Sequence, residues 1–391
     1  MIRAAAAQRR SFSREDVAFV LGANVLCRGL LLLLVAVVAW CLPRFDQGGA
    51  HDLPLGAVWS RFCYWDSLHY ARIVEQGYLP AEPNAAFFPA YPYLARWLGP
   101  LFGNFWAAGL LISNAATLGG SFFVYGLARE YGGDGVARCA VLLALLFPSS
   151  LFFSCFYAEG LYFFAVAGTF YFYERGSLAG AGAFGALATL TRPTGILLFP
   201  ALAIGLLHRH RWRLREVPAR ALWLLAIPLG LAVVMVVLDV QVGDPLAFVH
   251  AQAAWARKTT FPFLSIAQAG QDVVATGFAA GNGSAVQSLA ASQALLRIVD
   301  LCAVMLLFGC AALALRRLDA AHTVFILLSV IMPLSSGLVL SIERFASGVV
   351  PVYVVLALVV RTEIRRTALL AGSAALLAMH AVFFGMGLAA G

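Results

Sequence analysis

The stretch VAFVLGANVLCRGLLLLLVAVVAWCL, residues 17–42, decides the fold class. Arg28 is the one charge inside it, and Arg3, Arg9, Arg10 and Arg14 precede it. A helix needs roughly 20 apolar residues to cross the hydrocarbon core of a bilayer. This run meets that length, exceeds the apolar part of a secretory signal, and is not followed by a small-x-small cleavage site after Trp40. It predicts an uncleaved first span whose N-terminus faces the cytoplasm.

The rest of the chain repeats the pattern. Of its 391 residues 62% are hydrophobic and 12% charged, against about 25% charged in a soluble domain, and the mean hydropathy is +0.85. Further apolar runs occupy 105–128, 136–153, 158–173, 177–191, 193–207, 221–240, 296–315, 320–340, 347–360 and 367–389. The expectation is an all-α polytopic membrane protein of about eleven transmembrane helices that forms a single domain over residues 1–391.

Alternating sides from the first span sorts the charge. Of the 27 basic residues, 17 fall in the short segments expected inside, among them Arg129, Arg138, Arg175, Arg209, Arg316 and Arg366, as the positive-inside rule requires. The net charge of +8 therefore reports topology and not affinity for nucleic acid. Lys258 is the only lysine, and this arginine bias with heavy Ala and Leu usage points to a GC-rich bacterial genome and an inner (plasma) membrane. The seven cysteines (27, 41, 63, 139, 155, 302 and 310) are scattered through apolar runs without CxxC or Cys/His spacing, so they read as small core residues, neither a disulfide framework nor a metal site.

The same alternation places two long segments outside, about 43–104 and 241–295, with short outward turns near 154–159, 191–195 and 341–345. Polar residues suited to chemistry gather there. In Trp65-Asp66-Ser67-Leu68-His69-Tyr70, residues 67–76 predict a short interfacial helix with Asp66 at its N-cap and Gly77 as terminator. Asp66 reads either as that cap or as a carboxylate placed to accept a proton. Trp65 and Tyr70 are interfacial anchors or substrate contacts, and His69 is structural or orients a ligand. Glu159, at the edge of an apolar helix, is costly to keep there unless it has a function. Capping and an ion pair with Arg192 are the plainer readings. Asp244 before Pro245 resembles a helix start, with that helix running to Arg257 and Lys258. Gly281-Asn282-Gly283-Ser284 reads as a loop tip. Asp66, Glu82, Glu159, Arg192, Arg257 and Arg344 could converge on one outward face beside lipid. There an arginine fork would hold phosphate and a carboxylate would act as base.

Trp65-Asp66-x-x-His69-Tyr70, then Gly77-Tyr78 and Ala86-Phe87-Phe88-Pro89-x-Tyr91-Pro92, resembles the signature of the PIG-V family of mannosyltransferases. Phe147-Pro148-Ser149-Ser150 with Tyr157-x-Glu159, Thr191-Arg192-Pro193-x-Gly195 and Ser341-x-x-Arg344-Phe345 follow in the family's order, and Gly243-Asp244-Pro245 with Ala251-Gln252-x-x-Trp255 is similar to its bacterial branch. Phe345, where Tyr is common, and Val350-Pro351, where Phe-Pro is usual, depart from the pattern.

The resemblance implies a GT-C-type glycosyltransferase that takes a sugar, mannose first, from a polyprenyl phosphate. Asp66 would be the general base for inverting transfer to an acceptor hydroxyl on a glycolipid, glycan or protein. Arg344, Arg192 and Arg257 would hold the donor phosphate. Trp65, His69, Tyr70, Glu82, Tyr91, Glu159 and Asp244 would bind substrate or support those that do. No metal or other cofactor is implied. The rival readings are a lipid or solute transporter or flippase, and a non-catalytic assembly subunit. A transporter would show discontinuous helices, midplane charges and internal repeats. Here Arg28, Asp239 and Asp300 read as lying near span ends, and no repeat is visible.

Overall fold

The computed structural model describes residues 11–42, 53, 55–279 and 285–387, with the backbone alone at 276–279 and 285–293. The expected loop tip at 281–284 and the start of the first long outward segment lie outside the described residues. Among those described there is no strand.

The first span is α1 (Arg14–Cys41). A capping box starts it: the Asp16 N–H donates to Ser13 Oγ at 3.1 Å and the Ser13 N–H to Asp16 Oδ2 at 2.9 Å, so two otherwise unpaired amides are satisfied reciprocally. The first long outward segment folds into α2 (Gly56–Ser60), α3 (Asp66–Gln76) and α4 (Ala90–Leu98). Next comes α5 (Phe105–Leu145), broken by non-helical backbone at Gly132 and Gly133. It therefore supplies two of the expected spans, but the second ends at Leu145 and not at 153. Beyond it the chain turns through Phe147–Ser150 into a 3-10 turn at Ser150–Phe153.

The middle of the bundle is α6 (Glu159–Glu174), α7 (Leu178–Thr191), α8 (Leu198–Arg209) and α9 (Ala226–Val242), with 3-10 turns leading into α8 and α9. After these, the expected helix from Asp244 to Lys258 is a correction. Only α10 (Ala247–His250) and a 3-10 turn to Trp255 form, because Ala256 takes a left-handed φ of 55° and stops the helix. The remainder of 241–295 is not loop either: α11 (Pro262–Ala279) fills much of it and α12 (Ala285–Ala314) starts within it. The chain closes with α13 (Ala320–Leu334), α14 (Ile342–Ser347), α15 (Pro351–Val359) and α16 (Glu363–Gly385).

Among the described residues five helical segments are long and apolar enough to cross a membrane: 14–41, 105–145, 219–242, 294–314 and 363–385. Helices α7, α8 (with its leading turn) and α13 are apolar but shorter, and α15 has nine residues, about 14 Å of rise. The expected runs 320–340 and 347–360 are thus shorter as helices than as apolar stretches. Large apolar side chains stand exposed along α1 (Val25, Leu26, Leu30, Leu33) and α9 (Leu229, Val233, Val236, Val240), as lipid-facing helices require. Helix α6 is the reverse, buried on nearly every side between α5 and α7.

Arg28 corrects the expectation that it sits near a span end, whereas Asp300 lies in the first third of the apolar segment 294–314. Arg28 lies midway along α1 and donates to the carbonyls of Ser150 at 2.7 Å and Leu145 at 3.0 Å, satisfying the end of α5. The residues read as facing inside gather at one end of the bundle. Arg129 pairs with Asp16 at 3.0 Å, Arg175 with Glu130 at 3.3 Å, and Arg209 with both Glu174 and Asp319 at 2.9 and 2.7 Å.

Candidate active site

The opposite end of α6 begins with Glu159, whose side chain is 2% exposed. Gly160 lets it sit there: a Cβ on that residue would lie 2.5 Å from the Ser113 carbonyl and 3.1 Å from that of Phe153. Two arginines from distant parts of the chain close on the carboxylate. Arg192, in extended backbone between α7 and the following 3-10 turn, reaches Glu159 Oε1 at 2.5 Å. Arg344, on α14, bonds the same oxygen through Nε. Its Nη2 lies 2.6 Å from Asp66 Oδ2. The result is a chain of alternating charge, Arg192–Glu159–Arg344–Asp66. The Arg344 guanidinium also lies 4.6 Å from the ring centroid of Tyr157 and 5.0 Å from that of Phe152, contacts suited to its delocalised cation.

Asp66 is the first residue of α3, not its cap. Trp65 holds the cap position with φ 54° and ψ −113°, and no side chain caps the helix. A bulky residue at positive φ is strained, and here it turns the Asp66 carboxylate away from the helix amides and onto Arg344. Gly77 ends α3 with φ 75°, as expected.

Asp66, Tyr70, Arg192, Arg257 and Arg344 line one cavity of about 520 Å³, together with Phe87, Gln252, Trp255, Lys258, Ser335 and Phe345. Arg257 is the exception among its arginines. Its Nε is buried without a hydrogen-bond partner among the described residues, and its guanidinium lies over the ring of Phe345, which it shares with Arg192. Burial, reinforced by Arg192 and Arg344 nearby and only partly offset by Asp66, pushes its pKa down. Four cations, counting Lys258, thus face two carboxylates, and the wall carries surplus positive charge.

Trp65, Asp66, His69, Arg72 and Trp255 line a second, smaller cleft of about 360 Å³ on the other side of Asp66. His69 is fixed by Asn84 at 2.8 Å and stacks on Phe87 with centroids 4.8 Å apart. Glu82 lines neither space. It accepts from Asn84 at 2.7 Å and from Arg72 at 3.2 Å, and so supports His69 from behind. Tyr91 is fully buried, hydrogen-bonded to Ser113 at 3.1 Å. Asp244 is half-buried and lines neither space. It accepts from the Leu246 N–H and pairs with His250 at 2.7 Å, contacts that hold its carboxyl below the usual range. Glu82, Tyr91 and Asp244 thus line neither space.

Sequence reasoning left Lys258, Gln252, Ser335 and Ser336 off the site. The adjacent cations Arg257-Lys258 were the available signal for the first. The others stand out only once Lys258 N–H donates to the Ser336 carbonyl at 2.9 Å and Thr260 N–H to that of Ser335 at 3.0 Å, which straps residues 258–260 across the end of α13. As for metal, Glu174, Asp319 and His322 bring ligand atoms within 4.8 Å of one another. They lie at the far end of α6, where Arg209 already bridges the two carboxylates.

Comparison with known proteins agrees with the motif reading. Residues 82–238 match the family model described as dolichyl-phosphate-mannose-protein mannosyltransferase. GPI alpha-1,6-mannosyltransferase 2 of Mus musculus is 30% identical over 193 residues, covering 44% of this chain and 39% of that protein. The Homo sapiens protein of the same name is 30% identical over 207 residues, 47% of this chain and 41% of that protein. The match thus spans about two fifths of the length of these relatives. Among solved structures, the archaeal oligosaccharyltransferase AglB from Archaeoglobus fulgidus, in complex with an inhibitory peptide and a dolichol-phosphate, is 15% identical with a TM-score of 0.47, covering 96% of this chain and 56% of that one. ArnT from Cupriavidus metallidurans bound to undecaprenyl phosphate is 13% identical with a TM-score of 0.35, covering 86% and 78%. On the family model and the mannosyltransferase relatives the resemblance read from the motifs holds: this multi-span membrane protein, helical through its described residues, is similar to the PIG-V mannosyltransferases.

Proposed function

We propose that the protein is a GT-C-type membrane glycosyltransferase. It would move a hexose, mannose first, from a polyprenyl-phosphate donor to an acceptor hydroxyl on the outer face of the membrane, with inversion. The observation that carries this reading is the excess of arginine over carboxylate around the cavity, with Asp66 joined directly to Arg344 at 2.6 Å. A guanidinium whose buried Nε has no hydrogen-bond partner among the described residues, as in Arg257, favours an anion beside it, and guanidinium binds phosphate bidentately. The family model and the mannosyltransferase relatives support the choice of sugar and of lipid carrier.

In this mechanism the donor phosphate enters beside Arg257, Arg192 and Arg344. Competition for the Arg344 guanidinium frees the Asp66 carboxylate. The acceptor oxygen attacks the anomeric carbon, the bond from that carbon to the phosphate oxygen breaks, and the lipid phosphate leaves with the electron pair. Asp66 takes the acceptor proton. The arginines neutralise charge that grows on the leaving phosphate, the kind of preorganised stabilisation that supplies much of an enzyme's rate. Because base and phosphate clamp are paired in the resting site, the base is released only when a donor arrives.

The test is incubation of the purified protein with a panel of polyprenyl-phosphate sugars and a mixture of glycolipid, glycan and peptide acceptors, following donor consumption and product linkage. Consumption of polyprenyl-phosphate mannose with an α-linked product is expected from a β-linked donor. Failure to consume any member of the panel, in protein that stays folded, would reject the enzymatic reading in favour of transport or an assembly role.

A further inference from the structure

The arginine assigned to the donor phosphate sits on a helix that is too short to hold itself. Helix α14 has six residues, well under the length at which a helix is stable alone. Ser341 before it takes a left-handed φ of 59° and ψ of 25°, and its side chain makes no cap bond. The cap comes from another helix. Asp300, in the middle of α12 and 2% exposed, accepts the Ser341 N–H at Oδ2 (2.9 Å) and the Glu343 N–H at Oδ1 (3.0 Å).

Other bonds complete the hold. The Ser149 hydroxyl donates to the Glu343 carbonyl at 2.7 Å, and the Ser347 hydroxyl to that of Arg344 at 2.7 Å. On the same turn the Glu343 carboxylate faces His380 of α16, 3.6 Å away. The turn is thus tied to α12 and α16, while Arg344 points the other way, to Asp66 and Glu159.

We propose that Asp300 is a positioning residue for phosphate binding: by capping α14 in trans it fixes where the Arg344 guanidinium stands. This rests on the assignment of Arg344 to the donor phosphate. An ionisable group buried mid-helix in an apolar bundle is costly, and no contact with the cavity explains its presence. Its acceptor oxygens satisfy amides at the start of α14 that have no partner within the helix. A neutral amide keeps the shape but turns one of the two acceptors into a donor facing an N–H.

The experiment measures the Kd of undecaprenyl phosphate for the full chain in detergent, with melting temperature alongside, for wild type, Asp300→Asn, Asp300→Ala and Arg344→Ala. The expected result is a threefold to tenfold weaker Kd for Asp300→Asn, tenfold or more for Asp300→Ala, and loss of binding for Arg344→Ala. The near-isosteric Asn variant keeps one of the two cap bonds and should melt closer to wild type than the Ala variant, so it decides the matter if the Ala variant fails to fold. A wild-type Kd in folded Asp300→Asn, with binding lost in Arg344→Ala, would overturn the positioning role. Undiminished binding in Arg344→Ala would instead remove the phosphate assignment on which it rests.

Discussion

Asp66 and Arg344 hold each other, and that pairing sets opposite demands on two measurements. Removing the negative charge at position 66 unties the Arg344 guanidinium, which then meets an incoming phosphate with one competitor fewer. Asp66→Asn is therefore expected to bind the lipid phosphate at least as tightly as wild type while sugar transfer falls by roughly 10²–10⁴-fold, the usual worth of a general base. A binding assay and a turnover assay on one preparation check this, and loss of binding together with turnover would point to collapse of the site. The pairing was only partly legible in the sequence. Ionisable residues beside apolar runs announce themselves through their cost, which marked Glu159 and, between two such runs, Arg192, whereas Asp66 stood out as a helix start and Arg344 through the family motif. Which of them touch depends on packing between helices far apart in the chain, and Arg344 could have been read as the partner of its neighbour Glu343. The left-handed backbone at Trp65 was equally hidden, since the Trp-Asp pair looks locally like an ordinary helix entry.

At the scale of elements, the strap at 258–260 is the piece most easily disturbed. Gly337, with φ 81°, would place a Cβ 2.8 Å from the Lys258 carbonyl. Gly337→Ala must both adopt a left-handed backbone and push the strap outward, at a cost of about 1–3 kcal/mol for the backbone alone. It is expected to weaken polyprenyl-phosphate binding severalfold through displacement of Arg257 and Lys258, while Gly270→Ala, with open space around its Cβ, leaves binding unchanged. Paired Kd measurements on the two variants test this. Elements of strong, uniform hydropathy were the easiest to read from sequence, as were those closed by a glycine, such as α3. The segment 241–295 was not. Proline and glycine mark its start, but the helix in α11 mixes Ser, Gln and Asp with apolar residues, a pattern that serves an amphipathic helix and a loop alike. Likewise Pro333 and the turn after it shorten α13 within a run whose hydropathy stays high to residue 340.

For the whole molecule, α6 carries a carboxylate at each end, and the two are used differently. Glu159 joins the site, whereas Glu174 joins Asp319 and Arg209 at the far end, where the Tyr131 hydroxyl donates to Glu174 at 2.8 Å and that of Tyr173 to Asp319 at 3.2 Å. This second cluster ties α5, α6, α8 and α13 together. Removing its cation leaves two carboxylates facing each other in a poorly solvated place, a defect that costs about 3–5 kcal/mol when a buried pair is broken. Arg209→Ala should lower the melting temperature in detergent more than it changes donor affinity in the fraction that remains folded. A fall in affinity with no change in melting would mean that the two ends of the bundle are not mechanically separate.

The strap also has a practical side. Lys258 is the sole lysine of the chain, and it stands exposed on the cavity wall. Apart from the terminal α-amino group, an amine-selective reagent therefore has one place to react. A fluorophore installed there would report occupancy of the cavity directly, and shielding of that single amine by a lipid ligand would be visible by mass alone, without knowledge of the acceptor.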